Sequence, residues 1–443
     1  MKFLVYLCLF STGFSAAAQQ GYSLKQAQDY ALKNSPVIIN KQLEKEIAGK
    51  KVWELTASGL PQVEATGNFQ NFIDIPTTVV PANAFNPAAP ADELVGLRFG
   101  TDYNVTGAIT VNQLIFNGSY FVGLQASKTY QLLAEKDVKK AELDVKEMVA
   151  QSYYSILVLQ ENVAILDSSY VKMQKLLNDT KILAENKVIE STNADQLEVN
   201  VLTVKNALDQ IKRQLEVSKN LLKLNMGLPL DTEISLTDDA SVFVQGINPE
   251  SAMTAAFDVQ SNVDYQIMQV QYSLARLDMK NKQAGYMPTL SAFFNHQQQA
   301  FRNDFDFFDK NKNWFPATIW GLSLQVPIFS SGMRMSQVSQ ARIKTEQVQT
   351  AIDQLENSLK VQSLKLQSDF SGALDTYESE KKKAQVTAEI LRKTEIRFKE
   401  KVASGLELTQ VQNQYLNAEA ARVNALYNLI ITKIALDKLY GKL

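Results

Sequence analysis

Two long stretches of the chain, 119–187 and 333–401, contain no proline and carry the same heptad pattern of apolar and small residues. Spacings that alternate between three and four residues are typical of a helix that packs along one seam. A helix of 119–187 would be about 100 Å long, whereas an ordinary globular helix has about 12 residues. We therefore expect the rod shape itself to serve the function. The predicted seams are Leu124, Ser127, Gln131, Ala134, Val138, Ala141, Val145, Met148 and Ser152, and Val338, Ala341, Thr345, Val348, Ile352, Leu355, Leu359, Gln362 and Leu366.

The chain is an internal duplication. Gly118 and Gly332 are separated by 214 residues, as are Gly227 and Gly441, and QLIFNG in the first half resembles VPIFSSG in the second. Each half has the same order: a helix, a proline, two strands, a long helix and a shorter helix. The first repeat, 19–230, is predicted to contain helix 23–58, strands 61–75 and 101–116, and helices 119–187 and 193–226. After a linker, 231–248, the second repeat, 249–443, is predicted to contain helix 249–284, strands 288–300 and 316–329, and helices 333–401 and 406–440.

The predicted strands alternate apolar and polar residues, which is the pattern of an outer-membrane barrel. A soluble sheet packed on a core would be the alternative. Four strands cannot close a barrel, so their open edges must pair with other copies of the chain, and three copies would supply twelve strands. Thr106, Thr110, Ser323 and Gln325 are expected to face water. The predicted lipid-facing residues are Val105, Ile109, Val111, Trp320, Leu322 and Leu324.

The N-terminal segment 1–18 resembles a signal peptide, with Lys2, a short apolar run and small residues at 16–18. The chain's single cysteine, Cys8, lies within this segment, so the mature chain is expected to contain neither a disulfide nor a thiol metal site. Charge is nearly balanced, with 45 Lys and Arg against 47 Asp and Glu, and gives no indication of a nucleic-acid partner.

The sequence offers little for catalysis. His296 is the only histidine and has no motif of metal-ligand spacing around it. Neither a phosphate-binding loop nor a nucleophile elbow is present. Asp304, Asp306 and Asp309 could hold a cation, but their spacing departs from an EF-hand loop, and an aromatic-rich extracellular loop is the simpler interpretation. We expect no enzyme activity, metal or cofactor. The companion segment 76–100 contains four prolines and is expected to be an irregular loop.

The doubled unit, the proline before each strand pair, the LIFNG and PIFSSG strand exits and the segment VASGLELTQVQNQYLNAE resemble those of the TolC-like outer-membrane efflux proteins. The resemblance implies an α+β fold in which a duplicated helical coiled-coil tunnel carries four strands of a trimeric twelve-stranded barrel. It implies a passive exit duct of a tripartite efflux or type I secretion system. The implied partners are two further copies, a periplasmic adaptor, outer-membrane lipid and an inner-membrane transporter of the resistance-nodulation, ABC or major-facilitator type.

The resemblance also implies a periplasmic entrance at the breaks between the long and short helices. Glu407, Gln410, Asp195 and Glu190 are the candidate gate residues, although Glu407 could equally be a solvated helix-start carboxylate. The alternative function is that of a soluble exported coiled-coil protein with a structural or adhesive role, which would not need an apolar sheet face. The candidate adaptor contacts are Val188, Ile189, Ser191, Val402, Ser404 and Gly405.

Overall fold

The computed structural model describes residues 20–88, 90, 92–240 and 256–443. The predicted signal peptide, with Cys8, lies outside the described residues. So do the end of the predicted linker and the first residues of predicted helix 249–284.

The first repeat contains two helices, a strand pair with a hairpin between its strands, and a long and a shorter helix. Its elements are β1 (Gln20–Tyr22), α1 (Leu24–Asn34), α2 (Pro36–Ser58), β2 (Gln62–Asn71), β3 (Thr77–Pro81), β4 (Leu94–Arg98), β5 (Tyr103–Asn117), α3 (Gly118–Glu185) and α4 (Ser191–Met226). The second repeat follows the same plan without the hairpin. Its elements are β6 (Ile234–Leu236), α5 (Val263–Ala284), β7 (Thr289–Arg302), β8 (Phe315–Gln325), α6 (Met333–Lys399) and α7 (Gly405–Leu439).

Several bounds differ from the sequence predictions for local reasons. Helix 23–58 is two helices because Pro36 lacks an N–H and restricts the residue before it. The last strand ends at Gln325 rather than at 329, since Pro327 cannot donate to a ladder. The strand predicted for 61–75 ends at Asn71, just before Phe72 N–H bonds to the Asp102 carbonyl. The predicted loop 76–100 is partly ordered as the antiparallel β3–β4 hairpin.

The chain forms two compact units, and each unit draws on both repeats. One comprises Met1–Lys45, Ala134–Gln269 and Ala351–Leu443, and the other comprises Glu46–Leu133 and Val270–Thr350. The duplicated halves are therefore not the compact units, because equivalent elements of the two halves pack together rather than apart.

The four-stranded sheet lies in the second unit. Its strands follow the order β2-β5-β7-β8, and every neighbouring pair is antiparallel. β2 and β8 are the two edge strands, so each has one side without a strand partner within the described chain.

The seams of the long helices shift by one residue relative to a strict heptad. Predicted seam residues Met148 and Gln362 are exposed, whereas Val149 and Ser363 are buried in their place. An α-helix has 3.6 residues per turn, so a strict heptad drifts around a straight helix and an extra spacing of four returns the seam to the core. Both repeats make the shift at the equivalent position.

A two-stranded parallel sheet, β1 with β6, was not predicted from the sequence. It pairs Gln20 with Ile234 and Tyr22 with Leu236, again 214 residues apart, so the repeats begin side by side. The hydroxyl of buried Tyr153 donates to the Tyr22 carbonyl at 2.9 Å and lies 3.0 Å from the Asp238 carboxylate. Burial, with Asp238 as hydrogen-bond acceptor, raises the pKa of Tyr153.

Within the described residues, no helix is both long enough and apolar enough to cross a lipid bilayer.

Candidate functional site

The long helices end in equivalent left-handed turns, which we call the tip turns: 186–190 and 400–404. Lys187 has φ 57° and Lys401 has φ 63°. In each turn the N–H of this lysine donates to the carbonyl three residues earlier, and the N–H of the following valine donates to the carbonyl five residues earlier. This is a Schellman motif, which usually has glycine at the left-handed position. The chain thus ends both long helices sharply and accepts a strained lysine at each end.

The short helices begin immediately after the tip turns and contact each other there. Ser404 caps α7 by accepting a hydrogen bond from the Glu407 N–H at 3.1 Å. The N–H of Gly405, the first residue of α7, donates to Asn193 Oδ1 on α4 at 3.1 Å. The starts of the two short helices are therefore joined within one chain.

Glu407 is paired rather than free. Its Oε1 lies 2.7 Å from Nη1 of Arg397, near the end of α6, and both side chains are partly exposed. The equivalent residues of the first repeat are Leu183 and Asn193, which cannot form an ion pair. The arrangement therefore offsets the charge of the candidate gate carboxylate with a cation of the same chain.

The other candidate residues occupy mixed environments. Gln410, Asp195 and Glu190 are exposed, so their side chains are open to solvent or to another molecule. Val188 and Val402 are 46% and 66% exposed, which is unusual for valine. Ser191 and Ser404 are exposed, and Ile189 is half-buried. Gly405 is buried because it packs against Asn193, and its part in an adaptor contact stays a prediction.

The strand register places all six predicted lipid-facing residues on one face of the sheet. Val105 lies opposite Phe69 and Ala300, and directly opposite residues share a face. Val111 lies opposite Phe294, which lies opposite Trp320. A bulge after Leu114 moves Phe116 onto the same face. The polar residues Gln113, His296, Gln298 and Thr318 lie on this face as well. Its apolar members are Val63, Ala65, Phe69, Val105, Ile109, Val111, Phe116, Leu290, Phe294, Trp320, Leu322 and Leu324.

The opposite face is mainly polar. Thr110 Oγ1 accepts a hydrogen bond from Asn295 Nδ2 at 2.8 Å across the β5–β7 pair. Two chemically different faces on one sheet are expected where one side meets lipid and the other water. The residues of this face include Gln62, Glu64, Thr66, Asn68, Asn104, Thr106, Asn112, Ser291, Gln297, Gln299, Ser323 and Gln325.

Two of the residues considered for metal binding, His296 and Asp306, have protein partners. His296 Nδ1 lies 2.7 Å from Thr318 Oγ1 on the neighbouring strand. Asp306 pairs with Arg302 at 3.2 Å and also with Lys312, and so closes the β7–β8 loop on itself. No group of three or more histidine, cysteine or acidic side chains that could hold a metal ion occurs among the described residues.

A sheet with one mainly apolar and one mainly polar face is the pattern expected of strands in an outer-membrane barrel. Residues 259–442 match the family model for the outer membrane efflux protein. The chain is 20% identical over 347 residues to the proteases secretion protein PrtF of Dickeya chrysanthemi, an alignment that covers 76% of this chain and 71% of the relative.

Solved structures of channels share the fold at low sequence identity. VceC from Vibrio cholerae is similar with a TM-score of 0.69 at 16% identity, over 94% of this chain and 96% of that one. CmeC from Campylobacter jejuni has a TM-score of 0.71 at 15% identity, over 95% and 85% of the two chains. The match to the family model over residues 259–442 and the shared fold agree with the resemblance that the doubled motifs indicated. The chain is a channel protein of the outer membrane and not an enzyme.

Proposed function

We propose that this chain assembles as a homotrimer whose twelve strands form a barrel and whose helices form a tunnel into the periplasm. The trimer is the passive exit duct of a tripartite efflux or type I secretion system. The energy for transport comes from an inner-membrane transporter of the resistance-nodulation, ABC or major-facilitator type, which the duct meets through a periplasmic adaptor.

The sheet carries this proposal. It combines two open edges, β2 and β8, with one apolar face. Backbone N–H and C=O groups cannot remain unpaired in lipid, so each edge needs a strand from another copy. Four strands are too few to enclose a pore, whereas three copies provide twelve.

The helices supply a second, independent argument for association. α4 and α6 each leave apolar side chains exposed along one stripe, at spacings that return to the same side of a helix. Exposed apolar stripes of this length are typical of an interface with another chain. Those of α4 are Val199, Leu202, Val217, Leu221 and Leu224, and those of α6 are Val361, Leu364, Val386 and Ile390.

The tip turns are the proposed entrance and adaptor contact. They are the breaks between each long helix and its short partner, and they expose Val188 and Val402. A partner that binds more tightly when the tip turns are apart than when they are in contact shifts the equilibrium toward the open entrance. The relative PrtF is named for protease secretion, and we extend only secretion in this general sense to the present chain.

Native mass spectrometry of the detergent-extracted protein tests the assembly, and three chains are expected. A stable monomer with full β content would exclude it. Cysteines introduced at Val188 and Val402 test the entrance, since cross-linking of neighbouring tips should block transport and reductant should restore it. Cross-linked tips that leave transport intact would place the entrance elsewhere. Cysteines at Lys205, an exposed position of α4 beyond the tip, serve as the matched control.

A further inference from the structure

The short helices α4 and α7 form a parallel pair whose register can be followed from the tip. Asn193 and Gly405 are hydrogen-bonded at the two helix starts. Further along, Val204 and Ala207 of α4 and Leu416 and Ala420 of α7 line one groove, so both helices run away from the tip together. One heptad after the first contact, this register places Asn200 opposite Gln412.

Both of these polar side chains are buried next to an apolar cluster. Asn200 is 4% exposed and Gln412 is 5% exposed. Both line one small cavity of about 20 Å³, whose lining also includes Leu408 and the charged residues Lys172 of α3 and Glu395 of α6. Among the described residues, Asn200 Nδ2 has no hydrogen-bond partner. The surrounding apolar cluster contains Met173, Leu177, Leu197, Val201, Val204, Leu391 and Leu408.

Burying an amide costs free energy unless its hydrogen bonds are replaced. Leucine at either position would fill the same layer without that cost. A buried polar residue at a core position of a parallel coiled coil fixes partner register and reduces stability. The placement of Asn200 and Gln412 one heptad from the tip contact matches that behaviour.

The pair also separates a short distance beyond this layer. α4 and α7 flank a groove of about 520 Å³ whose floor is α3. Its lining includes the polar side chains of Thr203, Asn413, Asn417 and Asn424.

We propose that Asn200 and Gln412 form a polar layer that sets the register of the α4–α7 seam and keeps the seam weak enough to part when the entrance opens. This inference rests on the proposed channel function. It assigns a role to two residues that belong neither to the gate carboxylates nor to the exposed tip positions.

The test compares Asn200→Leu, Gln412→Leu and the double variant in purified full-length protein. Each single variant should melt below the double variant, because one buried amide remains in the layer and still carries the cost of its lost hydrogen bonds to water. The double variant should melt a few degrees above the wild type and should be open several-fold less often in planar bilayers. Asn206→Leu and Gln414→Leu make the same substitutions at exposed positions of the same helices and should change neither quantity.

A double variant that melts no higher than the wild type would overturn the proposal, as would one that melts higher but opens as often. The comparison of opening requires that the wild type conducts, whereas the comparison of melting does not. A wild-type protein that gives no conductance in bilayers contradicts the channel function itself, and the melting data of the five variants still decide whether the polar layer exists.

Discussion

The N–H of Gly405 donates to Asn193 Oδ1 at 3.1 Å and thereby joins the starts of the two short helices, one from each repeat. A Cβ at Gly405 would lie 2.9 Å from the same oxygen, closer than real Cβ contacts allow. The position therefore needs glycine for close approach rather than for backbone freedom.

Gly405→Ala is expected to lower the free energy of unfolding by about 1–2 kcal/mol, because the tip contact must move apart and its hydrogen bond is lost. Thermal and denaturant unfolding in detergent measure the change. Gly372→Ala is the matched control, since a Cβ there meets nothing within 4 Å. In mid-helix it should stabilise by about 0.5–1 kcal/mol. Equal effects at the two glycines would contradict the close packing at the tip.

Glycine at the left-handed positions should relieve backbone strain in the tip turns. Lys187→Gly and Lys401→Gly are each expected to raise the free energy of unfolding by about 0.5–1 kcal/mol, because a left-handed conformation is costly for residues with a Cβ. Lys399→Gly, in the last turn of α6, should instead destabilise the protein by a similar amount. Destabilisation by all three variants would show that the left-handed turns are not retained in solution.

Arg397 should mask the charge of Glu407 at the entrance. Arg397→Gln removes the masking cation and should increase cation selectivity, measured as the reversal potential across a bilayer under a salt gradient. Glu407→Gln should shift the reversal potential the opposite way, and the double variant should return close to the wild type. Since the pair is partly exposed, its contribution to stability should not exceed about 1 kcal/mol. Unchanged selectivity in all three variants would remove Glu407 from the permeation path.

The two faces of the sheet should respond oppositely to charge. Ile109→Arg is expected to cost about 2–4 kcal/mol in a lipid environment, because Ile109 lies on the apolar face. Thr110→Arg, on the polar face, should be tolerated. Refolding yield into lipid vesicles and unfolding in urea measure both variants. Equal tolerance at the two positions would contradict the assignment of the lipid side.

Alkaline pH should weaken the junction at which the repeats begin. Burial raises the pKa of Tyr153 above its ordinary value, so the folded chain keeps this proton while the unfolded chain loses it. The contribution of protonated Tyr153 to the free energy of unfolding is complete below pH 10 and declines as the pH rises above it. Tyr153→Phe should cost about 1–3 kcal/mol at neutral pH and show a shallower loss of stability above pH 10. Parallel pH profiles for the two proteins would exclude this role.

Much of this architecture is readable from local patterns. Heptad spacing, strand alternation and the doubled motifs depend on residues close together in sequence, and these patterns predicted the long helices, the strands and the family. The six apolar positions from Val105 to Leu324 were assigned to one side by alternation alone, and the strand register places them on one face. Whether that face meets lipid stays a prediction.

Other features depend on contacts between distant residues, and the sequence patterns did not reveal them. The ion pair of Arg397 with Glu407 forms only because a left-handed turn folds α7 back beside α6. The pairing of β1 with β6 joins segments 214 residues apart, and its three-residue strands are too short for a periodic signal.

The sequence by itself determined the type and order of the elements, because side-chain periodicity records which face of a helix or strand is apolar. Tertiary structure decided which of those faces is covered within one chain. In the folded chain Val149 and Ser363 are buried in the seams, where the strict heptad predicted Met148 and Gln362, because straight helices do not keep a strict heptad. It also buried Asn200 and Gln412, since burial depends on which helices pack together and not on the polarity of a residue alone.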